Sequence, residues 1–244
     1  MNGEEEMSEM PESSRLGTLE YWDALYARER ANFAENADDV GEIWFGETCL
    51  EKMCRCVARL PGVDAARARV LDVGCGNAYT LAWLWTEHGF RHVVGTDYSP
   101  NSVAHAEAVL RAQCDTAGLA PGSYELAVVR DDATATQLPA GAFDVVLDKG
   151  TYDAIYLTPG TPAERDATLR RYRECAARVL RRGPGAYYVI TTCNFTRAEI
   201  VRQFADTFDY HSHVDYPVLE FGGHKGSTNA TVVFVPKKQQ QEQQ

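Results

Sequence analysis

The chain reads as an α/β domain built on an open, largely parallel sheet, and three observations predict it. Short apolar runs end in an acid at Asp72, Asp97 and Asp148, segments of helical periodicity separate them, and glycine follows two of the three acids within two residues. Strands joined by helical crossovers run parallel, and right-handed connections bring their carboxyl ends to one edge, where open α/β sheets bind ligands. With 244 residues, 45% of them hydrophobic, there is enough apolar surface for one substantial core.

Composition narrows the function classes. Net charge is −11, and Glu4, Glu5, Glu6, Glu9 and Glu12 precede the first basic residue. An acidic body argues against duplex nucleic acid, whose affinity rests on phosphate neutralisation, and suits a basic protein partner. No apolar stretch approaches the ~20 residues of a membrane span. The acidic, polar amino terminus is unlike a secretory or transit peptide, so a soluble, cytoplasmic protein is expected. The seven cysteines are odd in number and scattered, with no C-x-x-C pair. Reduced thiols are expected, and no metal site.

Taken in order, residues 1–16 are expected to form a disordered acidic tail, 17–236 the folded domain, and 237–244 a second disordered, polar tail. Thr18 caps a helix with apolar positions at Leu19, Trp22, Leu25 and Tyr26. The aromatics of Gly41-Glu42-Ile43-Trp44-Phe45-Gly46 fall on a loop ahead of a helix from Glu47 to Leu60; they either pack that helix or close over a ligand. The apolar run Arg69 to Val73 is a buried strand, followed by a glycine turn and a helix to His88. Arg91 to Asp97 is the second strand, with Ser99 the better cap for the helix from Pro100 to about Ala117. A third strand, Tyr124 to Val129, runs into Asp131-Asp132-Ala133. Phe143 to Asp148 is the fourth. The helix Ala163 to Arg182 carries Leu169, Tyr172, Ala176, Val179 and Leu180 on one stripe, which leaves its arginines a solvated face. A fifth strand, Ala186 to Thr191, leads through Thr192-Cys193-Asn194-Phe195-Thr196 into a helix, Arg197 to Ala205. Phe208 to Tyr216 and Asn229 to Val235 follow as strands with no helix between them, which permits an antiparallel pair.

The glycine turn indicates the ligand. In Asp72-Val73-Gly74-Cys75-Gly76-Asn77-Ala78-Tyr79, Gly74 and Gly76 let backbone N–H groups approach a ligand closely. The spacing is not that of a dinucleotide site, because tyrosine stands where G-x-G-x-x-G/A needs a small residue. Asp97 can accept from both ribose hydroxyls, and an acid after the third strand can accept from an adenine amino group; Asp132, beside the small Ala133, is the better placed.

With Ala78 for the last glycine, the turn resembles the D-x-G-x-G-x-G loop of S-adenosylmethionine-dependent methyltransferases. That resemblance implies a doubly wound, Rossmann-like sheet of seven strands, mostly parallel, with one antiparallel strand near the edge and helices on both faces. A narrower resemblance rests on Gly17 to Asp23, Gly41 to Gly46, Asp148 to Ala154, Thr192 to Thr196 and Phe221-Gly222-Gly223. These blocks resemble the lysine methyltransferases of translation elongation factor 1-alpha, in the branch called methyltransferase-like protein ten. The cofactor so implied is S-adenosyl-L-methionine, giving S-adenosyl-L-homocysteine, with a protein substrate, elongation factor 1-alpha. Trp44, Asp72, Gly74, Gly76, Asn77, Asp97, Tyr98, Asp132, Ala133 and Asp148 are then the candidate cofactor residues. Asp148 and Tyr152 are the catalytic candidates, Asp148 orienting the amine unless it caps the next helix, and Tyr21, Trp44 and Tyr152 the walls of a lysine channel. A small-molecule methyltransferase and a silent cofactor-binding scaffold would share the cofactor half.

Overall fold

The computed structural model describes residues 14–216, 219–221, 224–226 and 229–237. The stretches 1–13 and 238–244, with Gly222 and Gly223, lie outside the described residues, and with them most of both predicted tails. Folded structure begins earlier than the expected boundary at residue 17. A 3-10 turn spans Arg15–Gly17, and Ser14 N–H donates to the Leu157 carbonyl at 3.1 Å. Gly17 lies so close to the Leu157–Thr158 backbone that a Cβ would come within 2.3 Å of it.

Seven strands form one sheet: β1 (Arg69–Val73), β2 (His92–Asp97), β3 (Glu125–Arg130), β4 (Val145–Lys149), β5 (Tyr187–Thr192), β6 (Phe208–Val214) and β9 (Ala230–Pro236). Their order is β3-β2-β1-β4-β5-β9-β6, with β9 antiparallel to both β5 and β6 and the other neighbouring pairs parallel. This is the expected doubly wound sheet with its reversed strand near one edge. The connection from β6 to β9 holds an unpredicted hairpin of β7 (Leu219–Phe221) and β8 (His224–Gly226).

Helices α2 (Glu47–Ala58), α3 (Tyr79–His88) and α4 (Pro100–Gln113) cover one face; α5 (Thr151–Tyr156), α6 (Pro162–Val179) and α7 (Arg197–Phe204) cover the other. Strand alternation feeds both cores. Val145 and Leu147 point to the α2–α3 side, while Val146 points to the α5–α6 side with Leu71 and Val73 of β1. On the second side Tyr188, Phe204, Phe208 and Phe234 stack with centroids 5.0–6.3 Å apart. Each buried ring of this kind contributes roughly 1.5–3 kcal/mol over an exposed one. The α6 stripe is buried as predicted, yet its arginines are not uniformly solvated. Arg165 is buried against the Gly160 carbonyl, and Arg173 donates to the Tyr152 hydroxyl.

Helix α1 (Leu19–Glu35) lies outside this sandwich and packs on α4. Asp23 fastens it, accepting from the Ser99 hydroxyl at 2.7 Å, from Asn101 N–H at 3.1 Å and from Asn101 Nδ2 at 2.9 Å. Register sets Val73 beside both Thr96 and Asp148, so the ends of β1, β2 and β4 share one edge, and a cavity opens there.

Candidate active site

The cavity measures about 350 Å³, within the range of small-molecule sites. Its floor is the turn after β1. Gly74 and Gly76 have φ of +64° and +57°, and Cβ atoms on them would lie 2.2 Å from Thr151 Oγ1 and 2.3 Å from the Tyr26 hydroxyl. Glycine is therefore required by space as well as by conformation. Ala78, which replaces the last glycine, holds φ +54° and is fully buried, at roughly 1 kcal/mol of left-handed strain. The chain keeps the glycine conformation without the glycine.

Asp97 ends β2 beside this turn. Its Oδ2 accepts Gly76 N–H at 3.2 Å and its Oδ1 accepts Ser99 N–H at 2.9 Å. Burial raises its pKa, and those N–H donors oppose the rise. Asp131, Asp132, Ala133 and Tyr98 continue the wall. Asp132 Oδ1 accepts from Thr134 N–H and Oγ1 at 2.8 Å, while Asp131 Oδ1 takes Gln137 N–H at 3.0 Å. Both acids face the cavity, so the geometry does not separate them.

Over the floor lies an aromatic roof of Trp22 and Tyr26 from α1 with Trp44 and Phe45 from the following loop. Trp22 meets Trp44 edge-on at 5.3 Å and donates its indole N–H to the Leu16 carbonyl at 2.7 Å. Asn77 ties the loop down, its amide donating to the carbonyls of Val40 at 3.0 Å and Glu42 at 3.2 Å. Lys149 Nζ donates to the Trp44 carbonyl at 3.4 Å. The Trp44 indole nitrogen is itself buried, with no partner among the described residues. A positive-φ cradle, an acid at the end of β2, two acids after β3 along the same edge and a donor with no partner among the described residues fit a nucleoside carrying a polar tail.

A methyltransferase-domain profile matches residues 70–183. The chain is 35% identical to EEF1A lysine methyltransferase 2 of Mus musculus over 91% of its own length and 84% of that protein, and 35% identical to the Homo sapiens protein over 91% and 86%. It is 34% identical to protein-lysine N-methyltransferase EFM4 of Saccharomyces cerevisiae over 91% and 95%. The chain belongs to the EEF1A lysine methyltransferase 2 family. Solved structures agree on the fold alone. A TehB-like S-adenosylmethionine-dependent methyltransferase from Corynebacterium glutamicum superposes with TM-score 0.57 at 16% identity, covering 89% of this chain and all of that one. The [4+2]-cyclase SpnF does so with 0.58 at 17%, covering 84% and 76%.

This member of the EEF1A lysine methyltransferase 2 family is thus an S-adenosylmethionine-dependent protein-lysine methyltransferase. Its cavity includes Trp44, Gly74, Gly76, Asn77, Asp97, Tyr98, Asp132 and Ala133 of the sequence candidates, and four candidates do not line it. Asp148 is fully buried below the cavity. Its carboxylate accepts from Thr151 and Tyr152 N–H and from the Tyr172 hydroxyl, so it caps α5 and does not line the cavity. Tyr152 is equally buried, and its hydroxyl donates to Gln203 Oε1 and accepts from Arg173. Tyr21 is half-buried beneath the Arg15 guanidinium, 5.2 Å from its ring centroid, and does not line the cavity. Asp72 sits one layer under the floor, its Oδ1 buried without a partner among the described residues. Burial pushes its pKa up to about 7, and the nearby Lys149 cation opposes that rise.

Wall residues that the sequence did not single out include Trp22, Tyr26, Lys149, Asp153, Cys193 and Asn194. Helical and strand periods carried the signal. Trp22 and Tyr26 are four apart and share a face that Tyr21 does not. In β4 the alternation that turns Asp148 inward turns Lys149 to the opposite face.

Proposed function

We propose that this enzyme transfers methyl from S-adenosylmethionine to a lysine side chain of translation elongation factor 1-alpha. The observation that carries the reading is the extent of the identity. The relatives match 91% of the chain, well beyond the methyltransferase-domain segment 70–183. The match therefore takes in α1, the Trp44 loop and the segment after β5, each of which contributes to the wall of the cavity.

When bound, the cofactor supplies an activated methyl group on a sulfonium, so the chain has to position its acceptor and keep it deprotonated. A lysine amine has an ordinary pKa near 10.4. Trp22, Trp44 and Phe45 exclude water around it, which favours the neutral form. Asp97 and the Gly74–Gly76 turn hold the adenosyl part, and Asp132 with Ala133 lies where adenine is read. Lys149, held under the roof by the Trp44 carbonyl, lies in the same cavity, where burial pulls its pKa down and the neighbouring Asp72 opposes that fall.

Incubation of the purified chain with isotopically labelled cofactor and elongation factor 1-alpha, followed by mass spectrometry, tests this. Label is expected on a lysine side chain. Asp97→Ala is expected to lose cofactor affinity at least tenfold by calorimetry and to lose transfer with it. Turnover on small amines without any protein acceptor, or no transfer to elongation factor 1-alpha, overturns the proposal.

A further inference from the structure

Asp97, Asp131 and Asp132 are the carboxylates on the β2–β3 side of the cavity, and across from them, among the described residues, Asp153 is the carboxylate of the β4–β5 side. It stands on α5, five residues after Asp148, and is 5% exposed. Its oxygens are unequally used. Oδ1 accepts from the Thr192 hydroxyl and from Asn194 N–H at 3.2 Å, whereas Oδ2 accepts only Cys193 N–H, at 3.1 Å. Three bonds from the end of β5 hold the carboxylate rigid, and one oxygen keeps a free lone pair. Cys193 and Asn194, drawn against it, line the cavity on either side. A fixed, nearly buried acceptor on the wall away from the adenosyl-binding acids is suited to one N–H of an incoming amine.

Resting on the function proposed above, we propose that Asp153 Oδ2 receives the acceptor lysine's amine and aims its lone pair, with the Cys193–Asn194 turn as the floor of the acceptor half. The lysine enters as the neutral amine, its ammonium proton having passed to solvent. The nitrogen lone pair forms the N–C bond to the methyl carbon as the C–S bond breaks, and sulfur keeps the bonding pair. The product is a methylated ammonium beside a neutral thioether. Asp153 stabilises the positive charge that grows on nitrogen, and the extra proton leaves to water along it. The contact thus strengthens from ground state to transition state, so its loss falls on kcat more than on KM.

Asp153→Asn keeps size and one acceptor oxygen. With elongation factor 1-alpha as acceptor, kcat is expected to fall about 100-fold, with S-adenosylmethionine affinity by calorimetry within about threefold of the parent. Thr192→Val removes a bond to Oδ1 and leaves Oδ2 untouched, so it reports the structural role alone. An equal loss of kcat in Thr192→Val and Asp153→Asn, or a folded, cofactor-binding Asp153→Asn with more than a third of parental kcat, overturns the inference. Should Asp153→Asn not fold, the parent still decides. Its Asp153 carboxyl carbon resonance is expected to shift on adding a peptide that spans the labelled lysine, and not with the norleucine analogue. Identical spectra with the two peptides overturn the inference. A parent that leaves elongation factor 1-alpha unlabelled refutes the acceptor assignment, whereas an active parent indifferent to Asp153 refutes this inference alone.

Discussion

At the end of β4, Asp148 has both oxygens committed to Thr151 N–H, Tyr152 N–H and the Tyr172 hydroxyl, and the Tyr188 hydroxyl also donates to Oδ2, at 3.5 Å. Burial pushes its pKa up to about 7, although those donors pull the other way. In the unfolded chain an aspartate titrates near pH 4. Between about pH 4 and 7 the folded state therefore binds more protons than the unfolded one. Stability from this residue is present below pH 4 and is lost as pH rises through the folded value. Asp148→Asn is expected to flatten that slope in denaturant titrations while cofactor affinity stays near parental. An unchanged slope, or a large loss of cofactor affinity in a folded variant, would contradict the capping role. The same residue marks a limit of reading from sequence. An acid at the end of a buried strand was legible, but the face it takes follows from strand alternation and from what packs behind it.

Helices α2, α3 and α5 start differently from α4, α6 and α7, whereas α1, which also borders the cavity, is capped by the Thr18 hydroxyl. The outward helices α4, α6 and α7 begin at Ser99, Thr161 and Thr196, each capping with its own hydroxyl, and the last two close full capping boxes with Glu164 and Glu199. Helices α2, α3 and α5 begin at Gly46, Ala78 and Gly150, all at positive φ and none capping with a side chain. These starts belong to loops that must bend sharply under or over the ligand. Cap residues are local, so the outward helix starts were readable from sequence. Docking of α1 was not, because its fastening joins Asp23 to Ser99 and Asn101, distant in the chain. Asp23→Ala is expected to loosen α1 by about 1–2 kcal/mol and to raise the dissociation constant of the cofactor several-fold, since Trp22 and Tyr26 ride on that helix. Hydrogen exchange of α1 amides checks the first effect and calorimetry the second. Parental protection in the variant would show that the helix is held by its apolar face alone.

For the whole molecule, net charge of −11 predicts how the protein substrate is met. Attraction between an acidic enzyme and a basic partner weakens as salt shortens the screening length. KM for elongation factor 1-alpha is expected to rise with ionic strength, with kcat nearly constant, while a short peptide acceptor shows a weaker dependence. Equal salt sensitivity for both acceptors would place the recognition inside the cavity and not on the surface. The sequence by itself determined the order of the sheet strands and the helices between them, the caps at Thr18 and Ser99, the glycine turn with its neighbouring acids, and the family, because each is written in short-range periodicity or contiguous blocks. Tertiary structure decided which acid and which aromatics face the cavity. A step of one residue turns a side chain about 100° on a helix and to the opposite face of a strand, so Asp148 became a cap while Lys149 and Asp153 became walls. That choice is set by packing across the sheet, between residues far apart in the chain.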